Sequence, residues 1–449
     1  MDERVLAHTM KASSDANAAP DDSTSELDQL DMFGMPVGPG SAASSSPSPA
    51  SSAQGTSASR GDAAPSGRAV AARTTPATAS LWADDGDDDR NDSNQEADAE
   101  EAGEQPASSR SEPPVRKRRA RDVLAAEPSS DVTAIAATLP PNVHLGTSTW
   151  SFPGWNGIVY GDEYSNSKLS RDGLTAYGAH PILRTVSIDR SFYAPLPVTD
   201  YLRYAQQVPD HFRFIVKAPA LVTDATVRAE RGEPVSANPC FLNAQLAADE
   251  FVRPCLDGLG AKAGALVFQF SPLPDEMLAD PAGFIERLAA FLGALPPLPK
   301  RPGAPCYAVE IRDGCLLTPR FIRTLKAAGV RYCVGVHAKM PDPLRQAAAL
   351  ALLDADGDGP AGPLIVRWSL HGGFRYEQAK AKYEPFDKLV DEDPATRQAL
   401  AELAARYAIA GQPVLIAVNN KAEGSAPLTC IELARLIAEA IERMKSDGA

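Results

Sequence analysis

Eight short runs rich in β-branched residues follow one another after Pro140, and a longer stretch with helical spacing of apolar residues follows each of them. The runs are 143–149, 185–192, 213–219, 264–270, 306–312, 331–336, 363–369 and 413–420. Alternating strand–helix units favour a parallel sheet, and eight of them in this length of chain are typical of a closed barrel. We therefore predict an α/β fold, a (β/α)8 TIM barrel, over residues 140–449.

Apolar and polar side chains alternate within these runs. In CYAVEIR (306–312), Tyr307 and Val309 belong to an apolar set, whereas Glu310 and Arg312 belong to the other set. Alternate residues of a barrel strand face the surrounding helices or the barrel interior, so we expect the polar set to point inward. Polarity rises toward the C-terminal end of the inward sets, which is the end where barrel enzymes carry their active sites.

Residues 1–139 differ in composition, because they are rich in Ser, Ala, Pro and Asp and poor in large apolar residues. Such a segment buries too little apolar surface to offset its ordering entropy, so we predict a disordered arm. The chain up to Pro140 has 24 acidic and 12 basic residues, which accounts for −12 of the net charge of −14. The basic block 116–121 is interpreted either as solvated charge or as a small phosphate-binding patch. The nearly neutral barrel does not predict long-range attraction of nucleic acid.

The compartment is inferred from the cysteines and from the apolar runs. The six cysteines show no C-x-x-C spacing and fall after the arm, which favours reduced, mostly buried thiols over a zinc site or disulfides. The N-terminal residues lack the apolar core of a signal peptide, and no apolar run approaches the length of a membrane span. We expect a cytoplasmic protein without a membrane partner.

The sequence near several of the predicted strand ends resembles that of a known protein family. GTSTWSFPGW (146–155), FQFSPLP (268–274), AVEIR (308–312), RWSLHG (367–372) and VNNKAEGSAP (418–427) look like the YecE-like family, barrel proteins grouped as domain of unknown function 72. The resemblance covers residues 143–441 and implies a TIM barrel, but hardly any reaction. Ser187 and Asp189 stand where the family usually has Glu and Asn, so a family activity that depends on that Glu would be lost or changed here.

The inward strand ends form the predicted ligand site. Three permanent cations and a histidine face two carboxylates there, and such a balance suits a small anion held by arginine and oriented by amides. The alternative is an internal ion-pair network that closes the barrel, because buried charges are usually paired. The predicted ligand-binding residues are Ser148, Trp150, Trp155, Tyr193, Lys217, Gln269, Arg312, Arg367 and Asn419.

Three residues are candidates for catalysis. His371 precedes two glycines and is placed as a general acid or base, with Glu310 or Asp189 as its partner. The alternative is a histidine that only forms hydrogen bonds at the rim. The same three residues resemble a carboxylate–histidine metal cluster, but the neighbouring cations would repel a divalent ion. We therefore predict no cofactor, with a divalent metal as the less favoured alternative.

The first loop contains Trp150 and Trp155 beside hydroxyl residues. We expect one tryptophan to pack under the loop and the other to offer its ring to a sugar or base, with Tyr193 as a neighbour. The first loop is thus interpreted as the rim of a binding site.

The arm contains one short apolar motif within polar surroundings. It resembles the peptide by which bacterial DNA-processing proteins bind the replication sliding clamp, a recognised role for a flexible segment. The motif residues are Gln29, Leu30, Asp31, Met32 and Phe33. The alternative is an apolar cluster that arose by chance.

The sequence leaves open whether the chain is an enzyme. We predict an anion-binding pocket for a phosphate or nucleic-acid-derived compound at the barrel mouth, with hydrolysis of phosphorylated substrates or DNA as an activity that would fit it. The alternative is a non-catalytic adaptor that the arm recruits to the sliding clamp, with tethering raising the local concentration of a weak DNA-contacting site.

Overall fold

The computed structural model of the protein describes residues 122–228, 234–355, 357, 359–372, 374 and 376–447. The predicted clamp-binding peptide 29–33 and the basic block 116–121 lie outside these ranges.

The described residues contain a closed barrel of eight parallel strands. The strands are β1 (Val143–Thr147), β2 (Leu183–Ile188), β3 (Arg213–Lys217), β4 (Ala263–Gln269), β5 (Cys306–Glu310), β6 (Arg331–Val336), β7 (Leu364–Trp368) and β8 (Val414–Val418). Each strand pairs with its neighbours in the chain, and β8 pairs with β1 to close the barrel. The predicted TIM barrel is confirmed. Apart from β6, the strands end one to four residues before their predicted ends, so several of the predicted polar residues lie in the loops that follow.

Helices surround the barrel. They are α1 (Ser130–Thr138), α2 (Asn166–Asp172), α3 (Leu174–Gly178), α4 (Arg190–Tyr193), α5 (Val198–Gln207), α6 (Ala220–Thr223), α7 (Ala244–Ala247), α8 (Arg253–Leu259), α9 (Asp275–Leu278), α10 (Pro281–Gly293), α11 (Pro319–Ala327), α12 (Pro343–Leu353), α13 (Tyr376–Tyr383), α14 (Pro394–Ile409) and α15 (Ala426–Asp447). The Thr-Pro start predicted for α11 is seen, because the Thr318 hydroxyl accepts a hydrogen bond from the Phe321 amide at 3.2 Å. An antiparallel hairpin, Thr226–Arg228 with Pro234–Ala237, follows α6 and was not predicted.

The strand alternation divides the apolar residues between two clusters. The outward residues of β5 and β7, such as Val309 and Val366, pack in the large cluster that contains the helices. The inward residues of the same strands, such as Ala308 and Ile365, form a separate small cluster inside the barrel. The inward and outward assignment made from the sequence alternation is therefore confirmed.

The folded part begins earlier than the predicted start at Pro140. Helix α1 buries Ile135 and Ala136, and Asp131 pairs with Arg435 of α15 at 3.0 Å. The Arg184 guanidinium donates hydrogen bonds to the carbonyl oxygens of Ala136 and Pro140. Residues 122–139 fall in the predicted arm because they contain few large apolar residues. A few apolar residues at helical spacing are nevertheless enough to stabilise a helix here, because α15 supplies the surface on which they pack.

The structure also shows the state of the cysteines and the character of the helices. The six cysteines are free thiols, and Cys255, Cys333 and Cys430 are buried. Among the described residues, no helix is long and apolar enough to cross a membrane.

His180, just before β2, makes the stability of the fold depend on pH. Burial lowers the pKa of His180 to about 4, and its Nδ1 accepts a hydrogen bond from the Ile182 amide at 3.3 Å. Between pH 6.5 and pH 4 the unfolded chain therefore binds a proton that the folded chain does not bind. We expect this residue to cost on the order of 3 kcal/mol of unfolding free energy as the pH falls through this window.

Urea unfolding of the wild type and of the His180→Asn variant between about pH 7 and pH 4 measures this effect. The asparagine amide oxygen can still accept from Ile182 but takes up no proton, so the variant should lose less stability on acidification. Equal losses in the two proteins would exclude His180 as the cause.

Candidate active site

Polar side chains meet at the C-terminal end of the barrel. Lys217, Gln269 and Glu310 are the last residues of β3, β4 and β5, and Arg367 lies one residue before the end of β7. Asp189 follows β2 directly. All five side chains are buried, with exposed fractions of 3% or less. We call these residues and Arg312 the mouth cluster.

Arg367 binds partners from three other strands. Its Nη1 donates to Gln269 Oε1 and to Glu310 Oε2, each at 2.8 Å. Its Nη2 donates to Asp189 Oδ2 at 2.7 Å. Short charge-assisted bonds in a buried setting are strong, so Arg367 links β2, β4, β5 and β7.

Arg312 is held less closely than Arg367. Its Nη2 lies 3.1 Å from Glu310 Oε1 and 3.1 Å from Gln269 Oε1, and it donates to the Ser369 hydroxyl at 3.3 Å. Glu310 Oε1 is buried but receives no hydrogen bond within the described part of the chain, so its contact with Arg312 is an ion pair only. Arg312 Nε is likewise buried, and no described residue accepts a hydrogen bond from it.

Glu310 is held in its ionised form. Burial alone would raise the pKa of Glu310, but the Arg312 and Arg367 guanidinium groups together keep it below its ordinary value. Glu310 therefore stays a carboxylate at neutral pH and is unsuited to act as a general acid.

Asp189 and Lys217 complete the mouth cluster. The Ser187 hydroxyl donates to Asp189 Oδ1 at 2.5 Å, which orients this carboxylate toward Arg367. The Lys217 ammonium lies 3.6 Å from the centre of the Phe192 ring, a cation–π distance. Tyr193 stands beside Phe192 in α4 but is 39% exposed.

Ser148 and Asn419 lie next to each other at the ends of β1 and β8. The Asn419 side-chain amide donates to the Ser148 hydroxyl at 2.9 Å, and its oxygen accepts from the Lys421 amide at 3.0 Å. Asn419 and Ser369 are half-buried, so polar groups border the more deeply buried cluster.

The described contacts join two of the three candidate catalytic residues. Glu310 and Asp189 both bind Arg367, so one guanidinium group separates the two carboxylates. His371 instead packs edge-on against Phe374, with ring centres 5.3 Å apart, and its backbone amide donates to the Lys421 carbonyl. The described contacts of His371 thus involve the seventh and eighth loops.

The structure buries both tryptophans of the first loop. Trp150 is 6% exposed and donates from Nε1 to the Leu169 carbonyl, and Trp155 is fully buried and donates to the Asn420 side chain at 3.2 Å. Both rings are therefore packed, and contact of either ring with a ligand stays a prediction. The packing is close: a Cβ added to Gly154 would come within 1.8 Å of the Pro385 carbonyl oxygen, so residues near Pro385 cover the loop.

Metal binding was the less favoured expectation for this site. Within the described ranges, no group of three or more His, Cys, Asp or Glu side chains has the arrangement of a metal site.

Most of the barrel matches a known protein family. The family model described as "Protein of unknown function DUF72" matches residues 144–448. The chain belongs to the DUF72 family. No curated protein matches the chain.

Two solved DUF72 structures resemble the chain at low identity. One, from Enterococcus faecalis, is 14% identical with a TM-score of 0.43, and the match covers 67% of this chain and 95% of that one. The other, from Thermotoga maritima, is 17% identical with a TM-score of 0.42, covering 66% of this chain and 98% of that one. A methyltransferase from Methanosarcina mazei matches at 11% identity and a TM-score of 0.38, over 70% of this chain and 97% of that one.

Three residues of this DUF72 chain take part in the site although the sequence did not single them out as site residues. They are Ser187, Ser369 and Phe192, which contact Asp189, Arg312 and Lys217 respectively. Ser187 and Ser369 share the inward alternation of their strands, which was a usable signal. The position of Phe192 depends on the short helix α4, which the sequence analysis interpreted as the end of a strand.

Proposed function

We propose that this DUF72 barrel binds a small anion, a phosphate or a phosphorylated or nucleic-acid-derived compound, at the C-terminal mouth of the barrel. The observation that carries the proposal is the gathering of cationic side chains in the mouth cluster. Lys217, Arg312 and Arg367 are buried there beside two carboxylates, Asp189 and Glu310. Arginine and lysine donors that converge at the C-terminal end of a barrel suit an anionic ligand.

The ion-pair network explains part of this cluster but not all of it. Arg367 is held by short bonds to three partners, so we assign it a positioning role. Arg312 has longer contacts, all of them described through Nη2, so its guanidinium group is the less constrained of the two. Arginine binds phosphate oxygens through two nitrogens at once, and Arg312 can present Nε together with Nη2 when Nη2 exchanges one of these longer contacts for the ligand.

The surroundings supply the neutral part of an anion site. Ser148, Ser369 and Asn419 place hydroxyl and amide groups at the end of the barrel where the cluster lies. Binding is the step that this geometry supports, because Glu310 is an ionised carboxylate whose two oxygens already face two guanidinium groups. Hydrolysis would need an additional base or acid, and the described contacts of His371 lie with Phe374 and the eighth loop.

Thermal denaturation with and without inorganic phosphate, pyrophosphate and nucleotides tests the proposal. A ligand that binds the native state at about 100 times its Kd adds about 2.7 kcal/mol of stability, which raises the Tm by several degrees. We expect such a shift for the wild type and its loss in Arg312→Gln.

Arg331→Gln is the matched control. Arg331 is also buried and also paired with a carboxylate, Asp354, at 2.6 Å, but it is the first residue of β6 and so lies at the other end of the barrel. This variant should have a lower Tm yet keep the ligand-induced shift. Equal shifts in Arg312→Gln and in the wild type, or no shift with any of these anions, would contradict the proposal.

A further inference from the structure

A cavity lies at the N-terminal end of the barrel, opposite the mouth cluster. It has a volume of about 340 Å³ and is lined by residues near the beginnings of four strands, namely His144 of β1, Arg213 of β3, Gly264 of β4 and Leu415 of β8. The inward layer that includes Ile215, Ala265 and Ala308 lies between this cavity and the mouth cluster. A molecule bound at one end therefore cannot touch the residues of the other end.

The charged groups at this cavity are basic. His144, His211 and Arg213 line it, and none of the described residues that line it is acidic. Arg301 is close enough to Arg213 to act on it electrostatically, as Arg184 is to His144. A concave surface that carries charge of one sign attracts ligands of the opposite sign.

The Arg213 side chain leaves donors available. Its Nη1 donates to the carbonyl oxygens of Asp210 and Phe212 at 2.9 and 2.8 Å, which fixes the guanidinium group. No carboxylate among the described residues pairs with Arg213. A fixed guanidinium with a free edge binds a carboxylate or phosphate oxygen without a large ordering cost.

His144 provides a second, independent observation that points to a ligand site. Its side chain is 7% exposed, and its Nδ1 is buried without a hydrogen-bond partner among the described residues. Buried polar atoms in native proteins are nearly always hydrogen-bonded, so an unsatisfied ring nitrogen in a cavity wall calls for a partner.

Apart from Asn142, whose amide donates to the carbonyl oxygens of Ala408 and Gln412, the rest of the wall is formed by glycines and apolar residues. The apolar residues are Pro141, Ala304, Pro363, Pro413 and Leu415. Small-molecule sites are mostly apolar cavities of a few hundred Å³ with a few convergent polar groups. We propose that this cavity is a second ligand site, one that takes a small organic anion with an apolar body and a single carboxylate or phosphate group bound by Arg213 and His144.

The pH dependence of binding follows from His144. Burial, and next the positive charge of Arg213, lower the pKa of His144 to about 4, so the ring is neutral at pH 7. The charged groups that act on it are Arg213, Arg184 and His211, all basic. A bound anion offsets their field and favours the protonated ring, so binding takes up protons and tightens as the pH falls.

The test is calorimetric titration of the full chain with phenyl phosphate and with benzoate. It is carried out on the Arg312→Gln variant, which lacks the proposed anion contact at the mouth. Binding measured in this variant therefore does not depend on the proposed function. Ala304→Leu and Arg213→Gln are then each added to this background. Ala304→Leu fills the cavity without removing a charge, so it decides the question if the Arg213 variant fails to fold.

We expect saturable binding of at least one of the two anions in the Arg312→Gln background. Each added substitution should weaken it about tenfold or more. Benzoate stays ionised between about pH 7 and about pH 5.5, so its binding should tighten as the pH falls through this range. Preference for phenyl phosphate or for benzoate identifies the anionic group. The proposal is overturned if neither anion saturates, or if Ala304→Leu leaves the Kd unchanged.

Discussion

Replacement of Arg367 by alanine should cost about 3–5 kcal/mol of unfolding free energy, one of the two largest losses that we expect from a single substitution in this barrel. The guanidinium binds Asp189, Glu310 and Gln269 at 2.7–2.8 Å. Its removal leaves Asp189 without its arginine and Glu310 with Arg312 alone. Both carboxylates are at most 3% exposed, so water cannot replace the lost bonds.

Urea denaturation followed by circular dichroism measures the loss, with Arg171→Ala as the control. Arg171 also pairs with a carboxylate, that of Asp172 at 3.5 Å, but its side chain is 66% exposed. Exposed ion pairs contribute at most about 1 kcal/mol, so the control should be nearly neutral. If the two variants lost equal amounts, Arg367 would not organise the mouth cluster as described.

Replacement of Trp155 by alanine should cost a similar 3–5 kcal/mol. The ring is fully buried, lies 5.4 Å from the centre of the Phe152 ring, and donates a hydrogen bond to Asn420 at 3.2 Å. The Asn420 side-chain oxygen also accepts from the Ala426 amide, which starts α15. Loss of Trp155 therefore leaves a cavity and weakens the connection between the first and eighth loops.

Tyr193→Ala is the control for this prediction, because Tyr193 is an aromatic residue that is 39% exposed. It should change the unfolding free energy by less than about 1 kcal/mol. A Trp155→Ala variant as stable as Tyr193→Ala would mean that the first loop is not packed against the barrel.

Most of the barrel could be predicted because strand alternation is a local property. Val309 and Glu310 are neighbours in the sequence, and the two-residue period alone places one against the helices and the other inside the barrel. Helix α1 could not be predicted in this way. Its burial depends on α15, about 300 residues further along the chain, as the Asp131–Arg435 ion pair shows.

The residues that form the site could be predicted from the sequence, but their contacts with one another could not. The inward alternation of β5 and β7 predicts Glu310 and Arg367, whereas the 2.8 Å bond between them depends on the stagger of β5, β6 and β7. The sequence also does not show whether a loop residue turns inward. His371 continues the inward set of β7, but the chain leaves the strand at Trp368, so the alternation no longer sets the direction of its ring, which packs against Phe374.

The central claim is that an anion binds at the C-terminal mouth of the barrel and contacts Arg312. The most direct test is a crystal structure of the protein with arsenate, a phosphate analogue whose arsenic atom can be located by anomalous scattering. We expect an anomalous peak at the mouth, with an arsenate oxygen within hydrogen-bond distance of Arg312 and with Arg367 still bound to Asp189 and Glu310. A mouth without a peak at saturating arsenate, with Arg312 still paired to Glu310, would contradict it.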